Sequence, residues 1–406
     1  CGKTANEKLK AVRLVMKEKN VESYLLTSLD DIAWLFNIRG NDVLFNPVAL
    51  SYSIITDTEA KLFIDKSKVN KEVEDELKLQ GIEVFEYLEI EEEIKKLNGK
   101  VLIDPAKVNA KLYSLLKCEI KEEVNLTTNL KAIKNNVEIE SLKNCHIKDG
   151  VAMVKFIKYL RDDIGKEKIT ELSASKVLTE LRSKEELAMG DSFGTIAGYK
   201  EHAAMMHYSA TEKSAYELKE EGLFLVDSGG QYLDGTTDIT RTFVLGNITE
   251  EEKRDFTLVL KGHINLANAK FLKGATGGNL DVLARGPLWQ YGLDYKCGTG
   301  HGVGFFLNVH EGPQGIRPYG NNVVLEPGMI LTNEPGVYKE GKFGIRIENI
   351  MVVVEDETND NGEFYRFDTI SYCPIDLNGV KVELLNDDEK AWLNNYHKKV
   401  YDNLSP

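Results

Sequence analysis

Apolar residues change their spacing along the chain, and the changes divide it. Leu9, Val12, Val15 and Met16 recur at helical intervals and predict an amphipathic helix over residues 4–20. Short apolar runs at 24–26, 51–55 and 60–64 predict strands, the last two separated by turn residues at 56–59. Helical stretches at 68–79 and 90–97 then alternate with strands at 82–85 and 101–103. Such alternation builds an α/β domain on a mixed sheet, ending near residue 130. From Ala132 the helical spacing resumes through Ile133, Val137, Leu142, Val154, Phe156 and Leu160, predicting one long helix that carries the boundary between domains. A second helix follows over 171–183, and from Ser192 onward strands and glycine-rich turns dominate.

A chain of 406 residues exceeds one ordinary hydrophobic core, in keeping with two domains. The net charge of -14 opposes binding to a phosphate backbone or an anionic membrane surface, so neither nucleic acid nor membrane is expected as a partner. No apolar run is long enough to span a bilayer. The five cysteines are scattered, odd in number and without CxxC spacing, which suits reduced thiols in the cytoplasm. Cys1 stands where a start methionine is usual, so a processed or truncated product is expected. No fixed-period repeat occurs, but acidic hairpins at 223–243 and 329–354, each preceded by helices, hint at a duplicated unit.

These two hairpins hold most of the chemistry. In the first, an apolar strand runs into Asp227, the chain turns at Asp234-Gly235, and a returning strand opens with Asp238. Two carboxylates on neighbouring strands repel, and no Lys or Arg lies between them in sequence, so a metal ion is the simplest remedy. Strand-ending aspartates also serve as plain turn formers. In the second, Glu334 and Glu348 are equidistant from Gly341, and a hairpin turning there sets them opposite each other, roughly 5 Å apart. Arg346, on the same face as Glu348, is an alternative counter-charge that would make a buried ion cluster without metal.

Between the hairpins, His301 stands in the run GTGHGVG, whose glycines let another backbone or an ion come close to one imidazole. One His among four carboxylates, with no Cys, suits a pair of fairly hard divalent ions such as manganese. Two ions roughly 3.5–4 Å apart hold a bridging hydroxide, the nucleophile of metal-assisted hydrolysis. His207 and His310 are candidates to meet a developing oxyanion or to line a substrate pocket, with core capping as the plain alternative. His146, His202, His263 and His397 sit in helical or polar contexts and receive no role.

The segments DDIAWLFNIRGNDVLFNPV, VDSGGQYLDGTTDITRTF, GTGHGVGFFLNVHEGP, NEPGVY and FGIRIENI together resemble the pita-bread metallopeptidases, and among them the cytosolic Xaa-Pro aminopeptidases (aminopeptidase P), over nearly the whole chain. The resemblance implies a creatinase-like α/β domain over 1–131 and an α+β pita-bread catalytic domain over 132–406. It implies that Asp227, Asp238, His301, Glu334 and Glu348 bind two divalent ions, usually manganese, with cobalt or zinc as alternatives. Asp227 would hold one ion, His301 and Glu334 the other, with Asp238 and Glu348 bridging. His207 and His310 match the substrate-binding and intermediate-stabilising histidines, Arg346 an arginine behind the ligands, and Glu334 would shuttle the proton. The implied substrates are peptides with proline second, and the implied assembly is a homodimer. Xaa-Pro dipeptidase is the nearest alternative activity, and a non-catalytic peptide-binding scaffold on the same fold is the alternative of another class. Two positions depart from the family pattern: Cys297 stands where a His is frequent, and Asn333 where an Asp is. The chain also begins where the middle domain of three-domain relatives does, so their first domain is expected to be missing.

Overall fold

The computed structural model describes residues 2–405, and Cys1 lies outside the described residues. The chain divides into two compact units, Cys1–Lys131 and Ala132–Pro406.

In the first unit α1 (Ala5–Glu18) opens with a capping box: Thr4 Oγ1 accepts from the Glu7 amide while the Glu7 carboxylate accepts from the Thr4 amide. There follow β1 (Ser23–Leu26), α2 (Leu29–Phe36), β2 (Ser51–Thr56), β3 (Ala60–Ile64), α3 (Lys71–Leu79), β4 (Glu83–Glu86), α4 (Ile90–Ile94), β5 (Lys100–Ile103), α5 (Ala110–Leu115), β6 (Glu119–Glu122) and α6 (Thr127–Ala132). The six strands form one mixed sheet in the order β4-β3-β2-β1-β5-β6, with β1 buried along its whole length. The hydrophobic spacing does not reveal α2, α5 or β6. Six of the eight residues of α2 are buried, so no polar face marks its period.

The second unit continues with α7 (Asn136–Asp163), α8 (Glu171–Arg182), β7 (Ala188–Asp191), β8 (Ile196–Tyr199), β9 (Leu223–Ser228), β10 (Gly230–Tyr232), β11 (Gly235–Thr236), β12 (Ile239–Val244), α9 (Glu250–Ala267), β13 (Lys270–Leu272), α10 (Gly277–Trp289), β14 (Gly300–Gly302), β15 (Glu311–Ile316), β16 (Ile330–Asn333), β17 (Gly336–Lys339), β18 (Phe343–Arg346), β19 (Asn349–Asn359), β20 (Gly362–Thr369) and α11 (Asp387–Leu404). Three substantial helices therefore interrupt the region beyond Ser192, where strands and turns were expected to dominate. The expected stripe on α7 is also corrected. Val137 and Val154 are exposed, because the buried face carries Glu138, His146 and Asp149 together with Leu142, Met153 and Phe156. Asp149 is neutralised there by Arg182 of α8, at 2.8 Å. No helix among the described residues is long and apolar enough to cross a membrane.

Two features of the sheets position the site. First, β9 and β12 pair antiparallel with Thr240 opposite Asp227, and Asp238 lies just before β12. The residues between them form a separate hairpin, β10–β11, added to β7. That hairpin turns at Leu233-Asp234, one residue earlier than expected, because Gly235 pairs with Tyr232. Gly235 serves close packing: a Cβ there would lie 2.6 Å from Cys145 Sγ on α7. Second, β16–β19 (Asn333 opposite Asn349) and β17–β18 (Gly336 opposite Arg346) share one register about Gly341, whose φ of 71° suits glycine. They form one long hairpin interrupted where Glu334 and Glu348 leave the ladder.

Candidate metal centre

The interrupted hairpin and the β9–β12 pair deliver four carboxylates, and β14 one imidazole, to the same place. His301 Nε2 lies 3.4 Å from Asp238 Oδ2 and 3.5 Å from Glu334 Oε1. Donor atoms of Asp238, His301 and Glu348 all fall within 4.8 Å of one another. The glycines flanking His301 are required by the squeeze on β14: a Cβ at Gly300 would stand 2.0 Å from the Thr332 carbonyl, and one at Gly302 2.2 Å from that of Glu311. His301 Nδ1 donates to the Gly302 carbonyl at 2.9 Å, which leaves Nε2 facing the carboxylates. Thr240 Oγ1 donates to Glu348 at 2.7 Å and Thr332 Oγ1 to Glu334 at 3.1 Å, so the neighbouring strands aim both glutamates. Arg346 donates from Nη2 to Asp227 Oδ2 at 2.6 Å and from Nη1 to the Tyr338 hydroxyl at 2.7 Å. Its counter-charge is thus Asp227, and not Glu348 as in the alternative metal-free reading.

The electrostatics favour a cation. Burial, then the charges of Asp238, Glu334 and Asp227, push the Glu348 carboxyl well above its usual range. Burial raises Asp238 too, against the hydrogen bond from His301. Glu334 rises to about 7, with burial again the largest cause, although His301 and Arg346 pull it down. For His301 burial disfavours the proton, but the Asp238 hydrogen bond and the charges of Glu334 and Asp238 outweigh it and lift the pKa to about 9. Asp227 Oδ1 and Glu348 Oε1 are buried and have no hydrogen-bond partner among the described residues. Orphaned carboxylate oxygens, in an oxygen-rich set with one imidazole, fit hard divalent ions.

His310 meets His301 edge to face, with ring centroids 4.1 Å apart. Burial, then the charge on His301 with a further push from His207, lowers its pKa to about 4, so it is neutral near pH 7. His207 and His310 are both exposed. The structure thus gathers seven of the eight singled-out residues around one centre, and His207 is linked to it through its charge effect on His310.

Three matches with known proteins cover the chain: a Creatinase/Prolidase N-terminal domain over residues 1–138, Metallopeptidase family M24 over 140–355, and the C-terminal region of peptidase M24 over 363–406. The chain belongs to metallopeptidase family M24. The creatinase-like unit and the pita-bread catalytic unit that the motifs imply are the folds it has. It is 41% identical to Xaa-Pro aminopeptidase 1 of Dictyostelium discoideum, over all of this chain and 66% of that protein. The chain thus spans just under two thirds of that relative's length. Among solved structures, the X-prolyl aminopeptidase of Caenorhabditis elegans, described as a cytosolic enzyme with a di-nuclear active site, matches with a TM-score of 0.93 at 36% identity, covering all of this chain and 68% of that one. The Xaa-Pro dipeptidase of Bacillus anthracis matches at 0.75 and 26% identity, over 92% of this chain and 99% of that one.

Within this M24 unit, two histidines given no role at first are firmly engaged. His202 stacks between Tyr208 and Tyr216, with centroids 4.4 and 3.8 Å away, and its Nδ1 is 2.9 Å from Glu171 Oε1. His263 is fully buried behind the two glutamates. It lies on the apolar stripe of α9 with Phe256, Leu260, Ile264 and Ala267, and that spacing is the signal that marks it as interior. Cys297 is half-buried, its thiol pKa raised by burial and then by the charge of Glu334, and its carbonyl accepts from Arg285 Nη2 at 2.7 Å.

Proposed function

We propose that the chain is a metal-dependent exopeptidase that releases the first residue from peptides carrying proline in second position. The observation that carries this reading is the convergence of Asp227, Asp238, His301, Glu334 and Glu348, with orphaned carboxylate oxygens among them, in a chain whose relatives are named Xaa-Pro aminopeptidases. Those five residues would hold two divalent ions, manganese being the best match to the donor set. When bound, the ions supply Lewis acidity toward a carbonyl oxygen and a water acidic enough to act as nucleophile near neutral pH.

The remaining work falls to side chains. His310, neutral near pH 7, donates a hydrogen bond to the substrate carbonyl oxygen as negative charge develops on it. Glu334 carries a proton from the attacking water to the proline nitrogen, which has no hydrogen of its own and leaves only when protonated. His207, beside His310, faces the proline ring. Arg346 holds Asp227 in place from behind.

The enzyme works in the cytoplasm as a homodimer. Scattered free cysteines and the cytosolic description of the Caenorhabditis elegans enzyme support the compartment. The similarity to a dipeptidase over nearly all of that protein's length favours one second reading, Xaa-Pro dipeptidase activity. Release of the first residue from an X-Pro dipeptide and an X-Pro-X tripeptide, with manganese added, separates the two. Asp238→Asn abolishes cleavage in either case; wild-type turnover by that variant ends the proposal. Loss of all metal on dialysis, with no activity restored by manganese, would favour a peptide-binding scaffold instead.

A further inference from the structure

The two glutamates leave the long hairpin beside a registered pair of asparagines, Asn333 before Glu334 and Asn349 after Glu348. The ring of His263, reaching across from α9, joins that pair. Its Nδ1 donates to the Asn333 carbonyl at 3.1 Å, and its Nε2 accepts from Asn349 Nδ2 at 3.1 Å. These roles are forced, since a carbonyl only accepts and an amide nitrogen only donates. Asn333 Nδ2 returns a bond to the His263 carbonyl at 2.9 Å. Asn349 cannot flip its amide, because its Oδ1 accepts from Arg241 Nη2 at 2.8 Å and from the Tyr396 hydroxyl at 3.2 Å. Arg241 Nη1 also donates to the Glu348 carbonyl at 2.6 Å. Every member of the chain Arg241, Asn349, His263, Asn333 is buried.

The pattern needs a flat ring with a donor on one edge and an acceptor on the other, which only neutral imidazole supplies among ring side chains. Burial, with the Arg241 charge adding to it, keeps the pKa of His263 down at about 3. Trp392 packs edge-on against the ring at 5.9 Å and fixes its tilt.

We propose that His263 is a positioning residue for the metal centre: by bridging Asn333 and Asn349 it fixes the spacing and register at which Glu334 and Glu348 leave their strands. The inference rests on the proposed function for the identity of the ions but concerns the protein's own hydrogen bonds. Because the carboxylates repel one another, a looser strand pair would let them drift apart before any ion arrives. The bridge preorganises them against that drift.

His263→Phe keeps the ring and removes both bonds, whereas His263→Gln retains one donor and one acceptor. Two measurements on the full chain test the role. In metal-free protein, amide hydrogen exchange over 330–336 and 346–352 is expected to accelerate at least roughly tenfold in H263F, with β9 and β12 unchanged. By calorimetry, H263F is expected to bind Mn2+ about 10–100-fold more weakly than wild type, the range for groups that orient metal ligands, with H263Q recovering most of the loss. If H263F does not fold, Asn349→Ala, which removes the amide that donates to the ring Nε2, carries the same two expectations. A lower melting temperature with unchanged Mn2+ affinity would mark His263 as ordinary core and overturn the inference, as would unchanged local exchange. A wild type that binds no Mn2+ would defeat the proposed function, and the exchange measurement would still decide the bridge.

Discussion

Replacing Glu334 with glutamine should stabilise the metal-free protein while disabling it. Burial and the neighbouring aspartates hold this carboxyl at about 7, against its ordinary 4.5. A group that binds its proton more tightly when folded favours the folded state most at low pH. Its contribution is fully present below about 4.5, falls as the pH rises to about 7, and stays lost above that. At about 1.36 kcal/mol per pH unit, the interval amounts to about 3 kcal/mol by pH 8. Glutamine has the same shape, keeps an oxygen for the Thr332 hydroxyl and carries no charge, so the loss disappears. Melting curves of chelator-treated protein at pH 8 are expected to place E334Q roughly 5–10 °C above wild type, and the two should coincide near pH 4.5. Mn2+ at a thousand times its Kd should reverse the order, since it adds about 4.1 kcal/mol to a protein that binds it, more than the advantage of the variant. An E334Q variant that melts at or below wild type at pH 8, or whose advantage persists at pH 4.5, would refute the argument that the cluster strains the metal-free fold.

Other outcomes follow from the same geometry. With His301 lifted to about 9, ion binding below that pH must expel its proton, so Mn2+ affinity should climb between pH 6 and 9. Calorimetry in buffers of different ionisation enthalpy will show that proton, and identical heats in all buffers would count against it. His310→Gln should lower kcat about 100-fold with unchanged Mn2+ affinity. Because His310 is neutral down to about pH 4, its titration should not shape the activity profile between pH 5 and 8. Gly344→Ala places a Cβ 1.8 Å from the Ala203 carbonyl, in the segment leading to His207. It should cost roughly 1–3 kcal/mol of stability and raise KM for X-Pro peptides, and an unchanged KM would separate that segment from substrate binding.

Much of this centre is legible in residue spacing alone. Equal distances from Gly341 suffice to bring Glu334 and Glu348 to the same break in the hairpin, because both ladders keep one register about that glycine. The glycines around His301 likewise announce a crowded backbone, and the Thr332 and Glu311 carbonyls supply the crowding. The partner of Arg346 is not legible. Alternation of faces holds only within a continuous strand, and the hairpin breaks at Ile347 and Glu348, so the rule that paired Arg346 with Glu348 stops applying there. Asp227, 119 residues away, takes its place. The stacking of His202 on Tyr208 and Tyr216 depends on how an irregular segment folds back on itself, which no period encodes. The bridge through His263 is half visible: its place on an apolar stripe marks it as interior, but its asparagine partners lie on strands about 70 and 86 residues further on.

The hairpin about Gly341 also sets when all five candidate donors can be present together. As the polypeptide leaves the ribosome, Asp227, Asp238 and His301 emerge first, and the last donor, Glu348, appears only with the return arm of the hairpin. A nascent chain that ends at β15 therefore has neither glutamate, and nothing to close the ring of donors. Under the proposed function, metal loading therefore follows synthesis of the return arm that carries Glu348.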